Sequence, residues 1–430
     1  MIVMKFGGSC LDKANDIKRM VEIVKSAERN QPKIVLSAFK GVTDELIKQA
    51  NSARDGKFDL VSIGKKHTEL LTDLPESAKI ATRTRIDRLL KELRTILTTV
   101  STRRELSTLA LDEIVSYGER LAVQIAGGYM SAAHLENTPL SDIDAGLLTD
   151  STFGNATILD ESYQLVRDRV GSARVPIIAG FFGRDKSGSI ATLGRGGTDY
   201  VAAFIASALH CSCVLLKDVE GIMTADPKIV KNARLVSNVD YLTAIELAHY
   251  GSKVVFEKAI APAMKARIPL KVTSFLKPNG GTLISESGKP TAVSSMKDIA
   301  LIRAQDMANA DLIGHIMHEG AYTDDILLAT HAGQNEIYIV TRDGKADGVA
   351  EIVRRLAAGT QVNMTKGLGL VALTGGRSEP TKIREVLKRE NIETRLVSLS
   401  PSERSICSVL NREHTEHAVK AFHDYVMTQL

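Results

Sequence analysis

TLGRGGTDYVAAFIASALHCSCVLLKDV (192–219) decides the fold: a glycine-rich loop, an apolar helix and a β-branched run follow one another without a break. Outward from it the same alternation recurs. Strand candidates are IVMKF (2–6), KIVLSA (33–38), VPIIAG (175–180), CVLLKDV (213–219) and PLKVTS (269–274). Helix candidates between them include Ala14–Arg29, Ser116–His134 and Gly197–Leu209. Strands apolar on both faces and separated by helices predict an α/β fold, a three-layer sandwich around a mostly parallel sheet. Residues 56–135 offer no convincing strand. Their charged, Thr-rich middle, ATRTRIDRLLKELRTILTTV (81–100), has helical apolar spacing and reads as a helical insertion.

The character changes near residue 280. KPNGGTLIS (277–285) is a turn cluster, and SESGKPTAVSS (285–295) is short and polar. Two stretches of similar layout follow. The first runs IALIRA, ADLIGHIMHE, DILLAT, EIYIVT and ADGVAEIVRRLA; the second runs LGLVALTG, SEPTKIREVLKREN, TRLVSLS, SICSVL and HTEHAVKAFHDYVM. A βαββα unit repeated twice is the pattern of paired ferredoxin-like modules. The expected division is 1–285 for the α/β domain, 286–297 for a linker, and 298–363 and 364–430 for the two modules.

At 430 residues, two or three domains are the natural expectation, and 44% apolar with 25% charged residues is ordinary for a globular protein. The net charge of +4 is small and its basic residues are scattered, so nucleic acid is not an expected partner. No apolar run approaches membrane-helix length, and MIVMKFGG lacks a signal-peptide layout. Cys10, Cys211, Cys213 and Cys407 include one C-x-C pair with no second pair to complete a metal site, and reduced thiols in a cytoplasmic protein are expected. No protein metal site and no Ser/His/Asp or Cys/His set stands out.

Two glycine clusters point to anion chemistry. Lys5-Phe6-Gly7-Gly8-Ser9 ends the first strand, where paired glycines let backbone amides approach an anion and a lysine emerges at the strand's carboxyl end. Taken alone, two glycines after a strand are more often just a tight turn. Gly194, Arg195, Gly196 and Gly197 before a helix suit backbone amides and a guanidinium fork around a carboxylate or phosphate, with Asp199 as an acceptor for an ammonium group. The plainer alternative makes Thr198 or Asp199 an N-cap and Arg195 a surface residue. Lys217 and Asp218 end another strand, and Glu119 falls at the expected start of a long helix, where glutamate is commonplace.

In order along the chain, KFGGS (5–9), VLSAFKGVTDELI (35–47), SYGERLA (116–122), LLTDSTFGNATI (147–158), TLGRGGTDYVAA (192–203), KDVEGIMTADPKIV (217–230), ELAHYGSKVV (246–255) and ARIPLKVTSFLKPNGGTLI (266–284) resemble the blocks of the aspartate kinases of the amino-acid kinase family. The C-terminal tandem resembles paired ACT domains. The resemblance implies transfer of the ATP γ-phosphoryl group to the side-chain carboxylate of L-aspartate, with Mg²⁺, as the first step toward lysine, threonine and methionine. It implies catalytic roles for Lys5 and Asp199. Ser37, Thr43, Glu119, Arg195 and Asp199 would bind substrate, Arg195 at its α-carboxylate and Glu119 and Asp199 at its α-ammonium. Lys5, Gly7, Gly8, Ser9, Lys217, Asp218, Met223, Lys228, Lys253 and Val254 would bind the nucleotide. It further implies an amino-acid effector, lysine or threonine, near Asp325 and Thr330. Open edge strands in such small modules invite pairing with a second copy, so a homodimer through residues 291–430 is expected. Departures are Lys217 for the usual Thr or Ser, Met223 for an aromatic residue, VFEK (255–258) for L-H-P-R, and MANAD (307–311) in place of a G-F-L-A turn.

Overall fold

The computed structural model describes residues 1–140, 145–288, 290–305, 326–332, 336–356, 361–376 and 379–428. They form two compact units. One is Met1–Gly221 with Val255–Glu286, and the other is Ile222–Val254 with Ser287–Leu430.

Strands through residue 286 are β1 (Ile2–Phe6), β2 (Pro32–Leu36), β3 (Thr138–Leu140), β4 (Pro176–Ala179), β5 (Phe182–Arg184), β6 (Ile190–Thr192), β7 (Ser212–Lys217), β8 (Asn238–Asp240, in the second unit), β9 (Leu270–Ser274) and β10 (Thr282–Ser285). In the first unit they run β3-β4-β2-β1-β7-β9-β10, all parallel except the last pair. A separate hairpin, β5–β6, leads into the glycine loop. β2 is buried along its whole length and β1 at all but its first residue, as strands covered on both faces must be.

Helices of the same span are α1 (Ala14–Ser26), α2 (Val42–Arg54), α3 (Val61–Glu69), α4 (Glu76–Arg103), α5 (Thr108–Ala132), α6 (Ser162–Val166), α7 (Gly197–Ala208), α8 (Tyr241–His249, in the second unit) and α9 (Glu257–Ala266). Ile17, Met20 and Val24 of α1 join Ile34 and Leu36 of β2 in one core with the buried face of α5, while α7 packs on α9 and on β1. α4 buries the stripe Thr82, Ile86, Leu89, Leu93, Leu97 and Val100 and leaves its charged face in solvent. The helical insertion is therefore as the sequence predicts. The start of α5 is not. Ser107, whose hydroxyl accepts from the Ala110 N–H at 3.2 Å, caps it nine residues before the expected Ser116. Glu119 consequently lies well inside a buried helix rather than in its first turn.

The second unit is built on one six-stranded antiparallel sheet. Its strands are β11 (Ala292–Gln305), β12 (Ile326–Ala332), β13 (Glu336–Arg342), β14 (Gln361–Thr374), β15 (Thr394–Leu399) and β16 (Ser405–Asn411), ordered β12-β13-β11-β14-β16-β15. Each βαββα half gives three strands, joined through β11 and β14. The helices are α10 (Ala346–Leu356), α11 (Pro380–Arg389) and α12 (Thr415–Met427); the expected helix ADLIGHIMHE (310–319) and MANAD lie outside the described residues. Residues 292–297 are strand rather than linker, and β14 starts at Gln361, before the expected module boundary.

Alternation along β14 explains what covers this sheet. Val371 and Leu373 face a core with Ile383, Leu387, Val419 and Phe422, whereas Leu368, Leu370 and Ala372 face another that includes Tyr250. The range 1–285 is thus interrupted. Residues 222–254 enter the C-terminal unit: Ala225 and Val230 sit in the first of these cores, Tyr250 in the second, and Asp240 pairs with Arg404 at 3.1 Å.

Candidate active site

The parallel strands β1, β2 and β7 deliver their last residues to one end of the sheet, the end at which α/β sheets hold ligands. Lys5 emerges from β1 and Lys217 from β7, its hydrogen-bonded neighbour. Between them stands Asp199, in the first turn of α7. Its Oδ1 lies 2.7 Å from Lys5 Nζ, as an ion pair without hydrogen-bond alignment, and its Oδ2 accepts from Lys217 Nζ at 2.5 Å. The three side chains are 8%, 13% and 3% exposed, so this is a buried cluster rather than a surface pair. Burial pushes the Asp199 carboxyl up, but the ammonium groups of Lys5 and Lys217 outweigh it, and its pKa stays below the usual carboxylate value. Burial lowers the Lys217 pKa, opposed by the Asp199 charge. Two cations on one anion leave the trio with an excess of positive charge.

Glycines set the backbone around this cluster. A Cβ on Gly8 would lie 2.3 Å from the Ala38 carbonyl oxygen, so only glycine lets the turn after β1 pass so close to the loop after β2. Gly196 has φ +75° and caps α7 with its backbone. This excludes Thr198 or Asp199 as the cap and turns Asp199 inward. The Gly7 amide, expected to face phosphate, instead donates to the Leu216 carbonyl at 3.2 Å. Arg195 is exposed and has no hydrogen bond or ion pair among the described residues.

Glu119 Oε1 accepts from the Ala38 N–H at 3.0 Å, while Oε2, also buried, has no hydrogen-bond partner among the described residues. Burial pushes its pKa up to about 8, against the opposing pull of the Ala38 N–H and the Lys5 charge. Gly118 makes the approach possible, since a Cβ there would be 2.7 Å from that of Ala38. Asp112, which the sequence does not single out, holds the glycine loop from the same helix. Its carboxylate accepts from the Gly154 N–H (2.8 Å), the Thr192 N–H (2.7 Å) and the Thr192 hydroxyl (2.8 Å), fixing the residue where β6 enters the loop. An aspartate in ALDEIV (110–115) carries no mark in spacing or composition that would have revealed this.

The remaining expected residues are placed as follows. Ser37 and Thr43 are half-buried in and after the loop that follows β2; Ser9 and Asp218 are exposed. Lys217 and Asp218 belong to the first unit, whereas Met223, Lys228, Lys253 and Val254 belong to the second. Asp325 lies outside the described residues. Thr330 accepts a hydrogen bond from the Ser398 hydroxyl at 3.0 Å. Among the described residues no cluster of three His, Cys, Asp or Glu side chains is placed to hold a metal ion.

The model of the amino acid kinase family matches residues 1–274, well over half of the chain. This chain belongs to the amino acid kinase family. Within it the chain is similar to aspartokinase 1 of Arabidopsis thaliana, a chloroplastic protein, with 28% identity covering 98% of this chain and 79% of that one. The aspartokinase of Corynebacterium glutamicum is 25% identical, over 99% and 95% of the two chains. Among solved structures, E. coli aspartokinase III in complex with aspartate and ADP, an R-state structure, superimposes with a TM-score of 0.83 at 23% identity, covering 99% of this chain and all of that one. The same enzyme with lysine and aspartate, in its T state, gives 0.75. These likenesses establish the amino-acid kinase fold and its C-terminal ACT-type sheet.

Proposed function

We propose that this family member is an aspartate kinase, converting L-aspartate and MgATP to 4-phospho-L-aspartate and ADP. The observation that carries the reading is the buried, cation-rich Lys5–Asp199–Lys217 cluster beside a glutamate with an unpartnered oxygen. Similarity to aspartokinases along nearly the whole chain supports the choice of substrate.

The chemistry asks for little beyond positioning and charge. A side-chain carboxylate oxygen attacks Pγ, the bond from Pγ to the β–γ bridging oxygen breaks, and its electron pair leaves on ADP. Both nucleophile and leaving group are anions, so no proton has to move and no general base is needed. The fixed ammonium of Lys5 stabilises negative charge on the transferring group. Mg²⁺ enters with the nucleotide as part of the substrate. Arg195, exposed and unpaired, takes the α-carboxylate through its fork. Glu119 Oε2 takes the α-ammonium, whose arrival supplies the missing partner and draws the carboxyl into its ionised form. An N-acylated acid has no ammonium to offer and leaves that oxygen orphaned, at a cost of about 1–3 kcal/mol.

The reading extends to a cytoplasmic homodimer assembled through residues 291–430 and to control by an amino acid. Its test is ADP release from the full chain with MgATP and, separately, aspartate, glutamate and N-acetylglutamate. Turnover confined to aspartate is expected; turnover of N-acetylglutamate with none of aspartate would overturn it.

A further inference from the structure

We infer that Asp112 is a positioning residue for the amino-acid substrate: from α5 it locks the loop that aims Arg195 at the α-carboxylate. Arg195 is exposed and has no hydrogen bond or ion pair among the described residues, so its backbone alone aims it. That backbone is intrinsically loose, because Arg195 stands between Gly194 (φ +72°) and Gly196 (φ +75°). Groups outside the loop have to hold it.

Asp112 holds it from one side. The residue is 3% exposed and precedes Glu119 on the same face of α5. Its Oδ2 accepts from the Thr192 N–H at 2.7 Å and the Gly154 N–H at 2.8 Å, and its Oδ1 from the Thr192 hydroxyl at 2.8 Å. One carboxylate thereby ties the end of β6 to the loop 152–155. The Ala156 N–H closes the same junction on the Thr192 carbonyl at 2.9 Å. The two loops touch, since a Cβ on Gly194 would lie 2.8 Å from Asn155 Oδ1. The start of α9 braces the other side. Lys258 Nζ donates to Asn155 Oδ1, and the Phe256 ring covers Gly196, where a Cβ would lie 2.4 Å from a ring carbon. Both residues belong to VFEK (255–258), the segment that departs from L-H-P-R.

All three donors on Asp112 belong to these loops, and Thr192, which supplies two of them, is three residues from Arg195. The role needs acceptors rather than charge. In an asparagine the amide oxygen can take both N–H groups while its NH2 faces the Thr192 hydroxyl, which can turn from donor to acceptor. An alanine leaves all three donors unheld.

Taking Arg195 as the group that meets the α-carboxylate rests on the aspartate-kinase reading. Calorimetry on the full chain with L-aspartate in the presence of Mg-ADP, and with Mg-ADP alone, tests the role without turnover. Asp112→Ala should weaken aspartate by about tenfold or more, the scale of one charge-assisted contact, and leave Mg-ADP within about twofold. Asp112→Asn should stay within about threefold for both ligands. In an Arg195→Ala background the cost of Asp112→Ala should fall to about twofold or less, because the arginine it aims is gone. If the alanine variant does not fold, Thr192→Val removes the hydroxyl donor alone and should give the same pattern at about threefold. Equal weakening of aspartate and Mg-ADP, equal weakening with and without Arg195, an Asp112→Asn as damaging as Asp112→Ala, or unchanged aspartate affinity overturns the inference. Wild type that binds no aspartate would overturn the substrate assignment instead. Amide exchange at Gly197 and Tyr200, faster in Asp112→Ala and unchanged in Asp112→Asn, then decides whether Asp112 holds the loop; exchange unchanged in both variants overturns it.

Discussion

At the residue scale, the groups that act on the moving phosphoryl are distinct from those that hold the amino acid. Lys5 strengthens its contact as charge develops, so Lys5→Ala should lower kcat by about a hundredfold or more with little change in the aspartate KM. Arg195→Ala should chiefly raise that KM. Steady-state kinetics on the two variants checks both, and a near-normal kcat in Lys5→Ala would put the phosphate site elsewhere. Glu119 adds a pH signature. Its carboxyl, pushed up to about 8 by burial, is largely protonated at neutral pH, and an ammonium ligand needs it ionised. The aspartate kcat/KM should therefore rise from pH 6 to pH 8, and Glu119→Gln should flatten that limb. Stability runs the other way: a raised carboxyl pKa favours the folded state below the ordinary value near 4.5, and that contribution is lost as pH rises through about 8. A limb unchanged in the glutamine variant would assign it to another group.

Candidate site residues stand out in the sequence where local pattern carries the chemistry. A lysine before two glycines at a strand's end, and an arginine within three glycines before a helix, are visible because each lies within one turn of the chain. The Lys217–Asp199 pair is not visible, since the topology of β7 and α7 brings together two residues eighteen positions apart. A helix started at Ser116 puts Glu119 in a first turn, where glutamate is commonplace; the cap at Ser107 puts it deep in α5, and Asp112, a buried carboxylate satisfied by three donors, leaves no trace in spacing.

At the scale of elements, the helical insertion packs through His67 of α3. Its ring is fully buried, Nδ1 lies 2.7 Å from the Ile63 carbonyl oxygen, and Nε2 has no partner among the described residues. Burial lowers its pKa to about 4. Here the unfolded chain binds the proton more tightly, so stability contributed by neutral His67 is present above pH 6.5 and is lost as pH falls toward about 4. The loss amounts to roughly 3 kcal/mol at most. Thermal unfolding of His67→Leu between pH 7 and pH 4 should show a shallower acid decline than wild type; parallel declines would locate the acid sensitivity elsewhere. Five strands of the sheet, β1, β2, β4, β7 and β9, were legible to within a residue or two, because buried parallel strands are apolar almost without interruption; the short, partly exposed β3 and β10 carry no such run and were not. The excursion 222–254 was not, because an apolar pattern does not say which of two cores a segment will enter.

For the whole molecule, that excursion changes what a truncation means. Ala225, Val230 and Tyr250 are buried in cores built with the C-terminal strands and helices. A fragment of residues 1–288 should therefore expose apolar surface and aggregate or unfold at lower temperature than the full chain; a monodisperse fragment with unchanged Tm would contradict this. In the full chain the sheet ends in β12 and β15, and outer strands invite pairing with a second copy. Sedimentation of the full chain at micromolar concentration should show the proposed dimer. Amino-acid control is expected to differ from that of lysine- or threonine-inhibited enzymes, given MANAD at 307–311 in place of the usual turn.

The central claim is that this chain activates the side-chain carboxylate of free aspartate. Incubating the full protein with ATP, Mg²⁺, L-aspartate and hydroxylamine tests it most directly, since an acyl phosphate is trapped as its hydroxamate. Aspartyl hydroxamate should accumulate in step with ADP, only when Mg²⁺ is present, and Lys5→Ala should slow it by about a hundredfold or more. ADP release with no hydroxamate, or hydroxamate from N-acetylglutamate and none from aspartate, would contradict the claim.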